Sequence, residues 1–128
     1  MIVIDTSALL AIIQGEPEAI ACREAIDAHE ELRISAANLS ETLIVAAGRK
    51  LHGEMGPLLS SLAPTIAPLT EARAYAAVRA YMDWGKGFHK AKLNFGDCFA
   101  YALAKEHGCP LLFVGEDFAK TDVTPALA

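Results

Sequence analysis

Short apolar runs alternate with longer, helix-like segments along the whole chain. The runs Ile2–Ile4, Leu32–Ser35, Thr65–Ala67 and 110–114 are short and largely apolar, and they predict four strands. A further short strand near Val123 also fits this pattern. Strands that alternate with helices favour a parallel sheet with helices on both of its faces. The pattern therefore predicts a fold of the α/β class.

The longer segments between these runs predict helices, and several of them have recognisable ends. Thr70 and Asn94 precede two helices as candidate N-terminal caps, and Gly108 follows the last helix in the usual C-terminal capping position. Gly53 and the pair Gly56-Pro57 predict interruptions within a helical hairpin. The predicted helices are Thr6–Ile13, 17–29, 36–51, Glu71–Trp84 and 94–107.

The composition is typical of one folded domain. With 128 residues, of which 53% are hydrophobic and 21% charged, the chain can bury a core, and we expect a single domain over residues 1–128. No apolar stretch reaches the ~20 residues that span a bilayer, and no basic segment precedes the apolar start. We therefore expect a cytoplasmic protein without a signal peptide. Cys22, Cys98 and Cys109 are scattered, which favours buried thiols over disulfides or a zinc site.

Four isolated acids, each beside a different apolar element, are the strongest functional signal. Asp5 and Asp117 follow the first and the last main strand. Glu41 lies in an almost entirely apolar helix, and Asp97 lies near the start of the last helix. Carboxylates are rarely buried unless they are paired or bind a metal, and parallel sheets place ligand sites at the carboxyl ends of their strands. The acids therefore predict one shared site for a hard divalent cation such as Mg²⁺ or Mn²⁺.

Each acid also has an ordinary structural interpretation. Asp5 is well placed to cap the helix that follows it, and Asp97 has the spacing from Asn94 that a capping box requires. Asp117 lies in a predicted turn, where aspartate is common, and Glu116 and Asp122 compete with it for the same role. Glu41 has the weakest alternative of this kind, because its helix offers almost no polar face.

One cluster of cations lies in the predicted loop before the last helix. Lys86, His89, Lys90 and Lys92 precede Asp97 directly, so they are candidates to hold a phosphate backbone beside the acids. A solvated loop is the alternative interpretation of such a run. The net charge of −5 at first opposes a nucleic-acid partner, but bound cations reverse the local sign of an acidic site.

Four segments around the acids resemble the motifs of PIN-domain ribonucleases. They occur in the order found in that family and span essentially the whole chain. Together with the short length, they resemble in particular the VapC-type toxins of bacterial type II toxin–antitoxin pairs. The segments are DTSAL at 5–9, SAANLSET at 35–42, LNFGDC at 93–98 and LFVGEDF at 112–118.

The resemblance implies a three-layer α/β/α sandwich around a central parallel sheet. It implies an endoribonuclease that depends on Mg²⁺ or Mn²⁺ and cleaves RNA by metal-assisted phosphodiester hydrolysis. It also implies a homodimer that a cognate, VapB-like antitoxin holds inactive. Carried over by position, the catalytic and metal-binding acids are Asp5, Glu41, Asp97 and Asp117.

Further polar residues match supporting positions. Ser7 matches the small polar position that supports the metal site, and Thr6 and Asn94 are expected to support it as well. Asp122 also matches a polar position of the family, so it competes with Asp117 for the role of fourth acid. The position of the basic cluster just ahead of Asp97, and not a family motif, makes its members the expected RNA contacts: Lys86, His89, Lys90 and Lys92.

Three other protein classes are the alternatives. A non-catalytic PIN-like binding module is the first, and the presence of all four acids argues against it. A receiver-type signalling domain also has an acidic Mg²⁺ pocket, but it needs two adjacent acids after its first strand, where Asp5 stands alone. A phosphatase with a DxDxT motif would need an aspartate at position 7, which is Ser7.

Overall fold

A four-stranded, wholly parallel sheet forms the centre of the protein, whose computed structural model describes residues 1–127. The strands are β1 (Ile2–Ile4), β2 (Leu32–Ser35), β3 (Thr65–Ala67) and β4 (Leu111–Leu112). Their order is β3-β2-β1-β4, and Val3 of β1 lies opposite both Arg33 and Leu111. Because β1 lies inside the sheet, Asp5 lies near the middle of its carboxyl edge.

Six helices connect the strands in residues 1–127. Four of them begin at a residue whose side-chain oxygen accepts a hydrogen bond from the first turn, and these caps are Asp5, Ser35, Thr70 and Asn94. The helices are α1 (Thr6–Ile13), α2 (Ala19–Asp27), α3 (Ala36–Gly48), α4 (His52–Leu62), α5 (Glu71–Trp84) and α6 (Phe95–His107). A single 3₁₀ turn, Phe118–Lys120, follows β4.

The sheet divides the hydrophobic core into two parts. Successive strand residues point to opposite faces, so Ile2 and Ile4 pack among α1 to α4, while Val3 packs among α5 and α6. In the same way, Leu112 and Leu111 contribute to opposite parts. Helices on both faces of a parallel sheet make the three-layer α/β/α sandwich that the sequence predicted, and the prediction is confirmed.

Two predicted helices are shorter than expected. The second begins at Ala19 rather than at residue 17, because residues 17 and 18 form a turn, and it ends at Asp27 rather than at residue 29. The third ends at Gly48 rather than at residue 51. Lys50 there adopts a left-handed backbone with φ of 60°, which stops the helix.

Three other local predictions are wrong. Gly53, Gly56 and Pro57 lie inside α4 and do not interrupt it. Both glycines face open space, so that neither is required for close packing. Only Leu111–Leu112 of the predicted strand 110–114 pairs in the sheet, and no strand forms at Val123; a single bridge joins Leu111 to Pro125 instead.

Within residues 1–127, no helix combines the length and apolarity that crossing a membrane requires.

Candidate acidic active site

Asp5 is a buried carboxylate at the centre of the carboxyl edge of the sheet. It is 3% exposed, and its Oδ2 accepts a hydrogen bond from the backbone N–H of Ser7 at 3.0 Å, which caps α1. Its Oδ1 is buried and receives no hydrogen bond from the described residues. Burial raises the pKa of Asp5 to about 6; hydrogen bonds from Ser7 oppose the rise, and the charge of Glu41 adds to it. The carboxylate therefore serves as a cap and still lacks a positive or donating partner for one oxygen.

Asp97 lies at the start of α6, where it forms the predicted capping box. Its Oδ2 accepts from the backbone N–H of Asn94 at 3.0 Å, and Asn94 Oδ1 accepts from the N–H of Asp97 at 2.9 Å. Burial raises the pKa of Asp97 to about 7. The hydrogen bond from Asn94 opposes this rise, and the charges of Asp5, Asp117 and Glu41 add to it. Each of the other three acids is therefore close enough to repel Asp97.

Glu41 reaches the site from the middle of α3 and is held by two donors. Its Oε1 accepts a hydrogen bond from Thr6 Oγ1 at 2.6 Å and another from Asn38 Nδ2 at 3.1 Å. The carboxylate lies against the backbone of Gly96, one residue before Asp97. From α3, Glu41 thus contacts both α1 and α6. It lines a separate hollow of about 310 Å³ and not the cleft that the other three acids line.

A cleft of about 250 Å³ is lined by three of the four predicted acids. Asp117 contributes from the exposed turn after β4, and Glu116 lies beside it. Ser7 ties this turn to α1, because its Oγ accepts a hydrogen bond from the backbone N–H of Val114 at 3.1 Å. The residues of the cleft are Asp5, Ser7, Asn94, Asp97, Val114, Gly115, Glu116, Asp117 and Phe118.

The carboxylates of the cleft are suitable ligands for a hard cation, but their side chains do not point to one common position. Carboxylate oxygens are the preferred ligands of Mg²⁺ and Mn²⁺, and Asp5 Oδ1 lacks any partner in residues 1–127. In the same part of the chain, no group of three or more His, Cys, Asp or Glu side chains is arranged to hold a metal ion. The chemistry of the cleft therefore fits a divalent cation, although the described side chains are not arranged around a common point.

Asp122, the competitor for the role of fourth acid, lies outside the cleft. It accepts hydrogen bonds from the Tyr101 hydroxyl and from Lys105 Nζ, the latter at 3.2 Å. The hydrogen bond from Tyr101 is the main reason why the pKa of Asp122 is lowered. Asp122 is thus paired with Lys105 outside the cleft, whereas Asp117 lines the cleft.

The predicted basic loop does not line the cleft. Within residues 1–127, none of its lysines forms an ion pair, and Lys86, Lys90 and Lys92 are exposed. His89 is different, because its Nδ1 accepts the backbone N–H of Ala91 at 2.9 Å and its ring packs edge-on against Trp84. The three lysines remain available to a phosphate backbone, whereas His89 is bound within the loop.

Sequence reasoning missed two residues that shape the site, Asn38 and Gly96. Asn38 is fully buried and donates from Nδ2 both to Glu41 and to the carbonyl of Gly96. The spacing of Asn38 and Glu41, three residues apart on one helix, was the available signal, since such residues share a helical face. Nothing in the sequence signals that Gly96 is the contact across the helix interface.

Comparisons with known proteins agree with this architecture. The sequence profile of the PIN domain family matches residues 2–123, which is nearly the whole chain. The chain belongs to the PIN domain family. Within that family, Ribonuclease VapC30 of Mycobacterium tuberculosis is 44% identical to it over 124 residues, which cover 94% of this chain and 95% of that protein. The resemblance to PIN domains of the VapC type that the motifs predicted is confirmed.

Solved PIN-domain structures share the fold. VapC20 of Mycobacterium tuberculosis, described as a toxin that cleaves the sarcin–ricin loop, superposes with a TM-score of 0.78 at 15% identity and covers 100% of both chains. A toxin–antitoxin complex from Klebsiella pneumoniae contains a chain with a TM-score of 0.71 at 21% identity, covering 95% of this chain and 93% of that one. At these identities, the likeness shows the shared fold.

Proposed function

We propose that this PIN domain, residues 1–128, is a divalent-metal-dependent endoribonuclease and the toxin of a type II toxin–antitoxin pair. Its 44% identical relative is named a ribonuclease, and that relationship supports the activity over nearly the full length. One observation of the site carries the proposal. Asp5 and Asp97 line one cleft. Burial raises their pKa values to about 6 and about 7, and the negative charge of Glu41 adds to both shifts.

A divalent cation is the simplest partner for this cluster. VapC-type ribonucleases generally depend on such ions, and we propose Mg²⁺ or Mn²⁺, held mainly by Asp5 and Asp97, with Glu41 and Asp117 completing the site. When bound, such an ion lowers the pKa of a water molecule and stabilises charge on a phosphate. Because the carboxylates repel one another without it, they would have to approach when the ion binds.

The residues of the chain would prepare the site for hydrolysis of a phosphodiester. Asp5 is held by the cap of α1, and Asp97 by its capping box, so two rigid helix starts fix the principal carboxylates. Glu41 and Asp117 would orient the attacking water or complete the set of ligands. Ser7 would hold the turn that carries Asp117, through the N–H of Val114.

An antitoxin is the proposed regulator. The Klebsiella pneumoniae neighbour is a toxin–antitoxin complex. On this chain, two apolar hollows of about 310 and 240 Å³ flank Phe95 and Phe99 beside the acids, and Phe95 is 79% exposed. We propose that an amphipathic, VapB-like segment covers these hollows and places an Arg or Lys among the carboxylates.

Two further features follow from the proposal. A homodimer would cover part of the exposed apolar surface of α5, where Tyr75, Val78 and Met82 are more than half exposed. Since the substrate is RNA within the bacterial cell, we place the protein in the cytoplasm. A non-catalytic PIN-like binding module is the second candidate, and it would not arrest bacterial growth by cleaving RNA.

Expression in bacteria without an antitoxin tests the toxin function. The wild-type chain should arrest growth, and Asp5→Asn should abolish the arrest, since Asn keeps a cap for α1 but removes the charge. Asp27→Asn, which changes an exposed acid at the end of α2, is the matched control and should remain toxic. Harmless accumulation of folded wild-type protein would favour the non-catalytic candidate.

A further inference from the structure

A single buried amide connects two of the acid-bearing helices. Asn38 on α3 is 0% exposed, and its Nδ2 donates to Glu41 Oε1 at 3.1 Å and to the carbonyl oxygen of Gly96 at 2.9 Å. Gly96 immediately precedes Asp97 on α6. The same nitrogen therefore bonds both the Glu41 carboxylate and the turn of helix that carries Asp97.

The orientation of this amide is set by its neighbours. Both groups on the Nδ2 side are acceptors that carry no hydrogen, so only the NH₂ end of Asn38 can face them. Its Oδ1 then points into the interior, where it has no hydrogen-bond partner in residues 1–127. An unpaired buried acceptor destabilises a fold. The amide is thus oriented so that its nitrogen bonds Glu41, while its oxygen is left without a hydrogen bond.

The hydrogen bonds to Glu41 are one-sided. Thr6 Oγ1 and Asn38 Nδ2 both donate to Oε1, and no described residue donates to Oε2. Two donors on one oxygen orient the carboxylate, and the other oxygen, which lies beside Gly96, receives no hydrogen bond from the described residues. Carboxylates that bind metal ions are commonly oriented by hydrogen bonds of this kind.

We propose that Asn38 is a positioning residue of the acidic site, which fixes Glu41 relative to Asp97 through one amide that bonds both Glu41 and the backbone of Gly96. The proposal rests on the metal-dependent function proposed above and assigns a role to a residue that carries no charge. Asn38 acts through Glu41 and does not itself bind the metal or the RNA.

Mn²⁺ binding to the purified full-length protein tests this role. Asn38→Leu keeps a similar shape but removes the donor, and we expect the dissociation constant for Mn²⁺ to rise about 10- to 100-fold, as when a group that orients a metal ligand is lost. Ser35→Ala is the matched control, because it removes the cap of the same helix without touching Glu41. It should lower the melting temperature and leave Mn²⁺ affinity within about twofold of wild type.

A double-mutant cycle separates positioning from general stability. If Asn38 acts through the Glu41 carboxylate, Asn38→Leu should cause little further loss of Mn²⁺ affinity in a Glu41→Gln background. Equal losses in both backgrounds would overturn the proposal, as would unchanged Mn²⁺ affinity in the single variant. Wild-type protein that binds no Mn²⁺ would instead refute the metal-dependent function.

The folding of each variant is measured alongside by thermal melting. If Asn38→Leu does not fold, Asn38→Ala removes the same donor with less bulk and takes its place in the cycle. Should neither variant fold, Asn38 would be a residue of the core on which the whole fold depends, and the proposal would be wrong.

Discussion

The Glu41 carboxylate occupies the space that a side chain at position 96 would fill. A Cβ built on Gly96 would lie 2.8 Å from Glu41 Oε1 and closer still to Oε2, a separation that real Cβ atoms do not show. Gly96 has no positive φ, so its backbone does not require glycine. The close approach of α3 and α6 requires it instead, and this approach brings Glu41 near Asp97.

Replacement of Gly96 by alanine should therefore separate metal binding from helix stability. Alanine favours a helix over glycine by about 0.5–1 kcal/mol, but here its methyl group must displace the Glu41 carboxylate from Thr6 and Asn38. We expect Mn²⁺ affinity to fall about 10-fold or more, measured by calorimetric titration. Gly48→Ala, at an α3 position with open space around it, is the control and should bind Mn²⁺ normally. Normal Mn²⁺ binding by Gly96→Ala would show that Glu41 is not needed in this position.

The metal-free protein should lose stability as the pH rises towards neutrality. The pKa values of Asp5 and Asp97 are raised from 3.8 to about 6 and about 7, so the folded state binds their protons more tightly than the unfolded state. Their contribution is full below about pH 4 and is lost as the pH rises through about 6 to 7. Thermal melting in EDTA between these limits measures the effect.

Asp97→Asn supplies the control for this pH dependence. It removes one of the two titrating groups and one like charge, so the melting temperature of the metal-free variant should be higher near neutral pH and should vary less with pH. Mg²⁺ should raise the melting temperature of the wild type by linkage and should affect the variant less. A wild-type melting temperature that stays constant across a millimolar Mg²⁺ titration would contradict a metal site.

The three exposed lysines of the loop should strengthen RNA binding without choosing the sequence. Lys86, Lys90 and Lys92, each changed to Gln, should weaken binding and reduce the slope of log affinity against log salt by roughly 0.7 or less per lost phosphate contact. Binding is measured by fluorescence anisotropy in an Asp5→Asn background, which prevents cleavage. The control protein also loses three positive charges, but at residues outside the loop, with Arg23, Lys50 and Lys105 each changed to Gln.

Cleavage mapping gives the second half of this test. The cut sites of the triple-Gln protein, with Asp5 restored, should be those of the wild type, because phosphate contacts carry no base information. A shifted cut site at full affinity would show that the loop reads bases.

The parts of the structure that local physics determines were predictable from the sequence. Asp5, Thr70 and Asn94 cap the helices that directly follow them, so each cap depends only on neighbouring residues. The first three strands also have the predicted bounds. The cleft that collects Asp5, Asp97 and Asp117 follows from parallel strands, whose carboxyl ends share one edge.

The remaining features depend on contacts between distant residues. Asn38 meets Gly96 across 58 positions of sequence, and no local pattern contains that pairing. No local pattern predicts the contacts of Asp122 with Tyr101 and Lys105, because they form only when α6 packs beside the C-terminal segment. In α4, helix formation overrides the usual effect of Gly53, Gly56 and Pro57, because Met55 and Leu58 of the same helix are buried in the core.

Cleavage of RNA by the purified protein tests the central claim most directly. We expect the wild-type chain to cut single-stranded RNA endonucleolytically in Mg²⁺ or Mn²⁺, to stop when EDTA is added, and to resume when the metal is restored. Asp5→Asn and Asp97→Asn should each be inactive while remaining folded, whereas the exposed-acid control Asp27→Asn should retain full activity. Cleavage that persists in EDTA, or that survives both substitutions in the cleft, would contradict the assignment of these acids to a metal-dependent ribonuclease site.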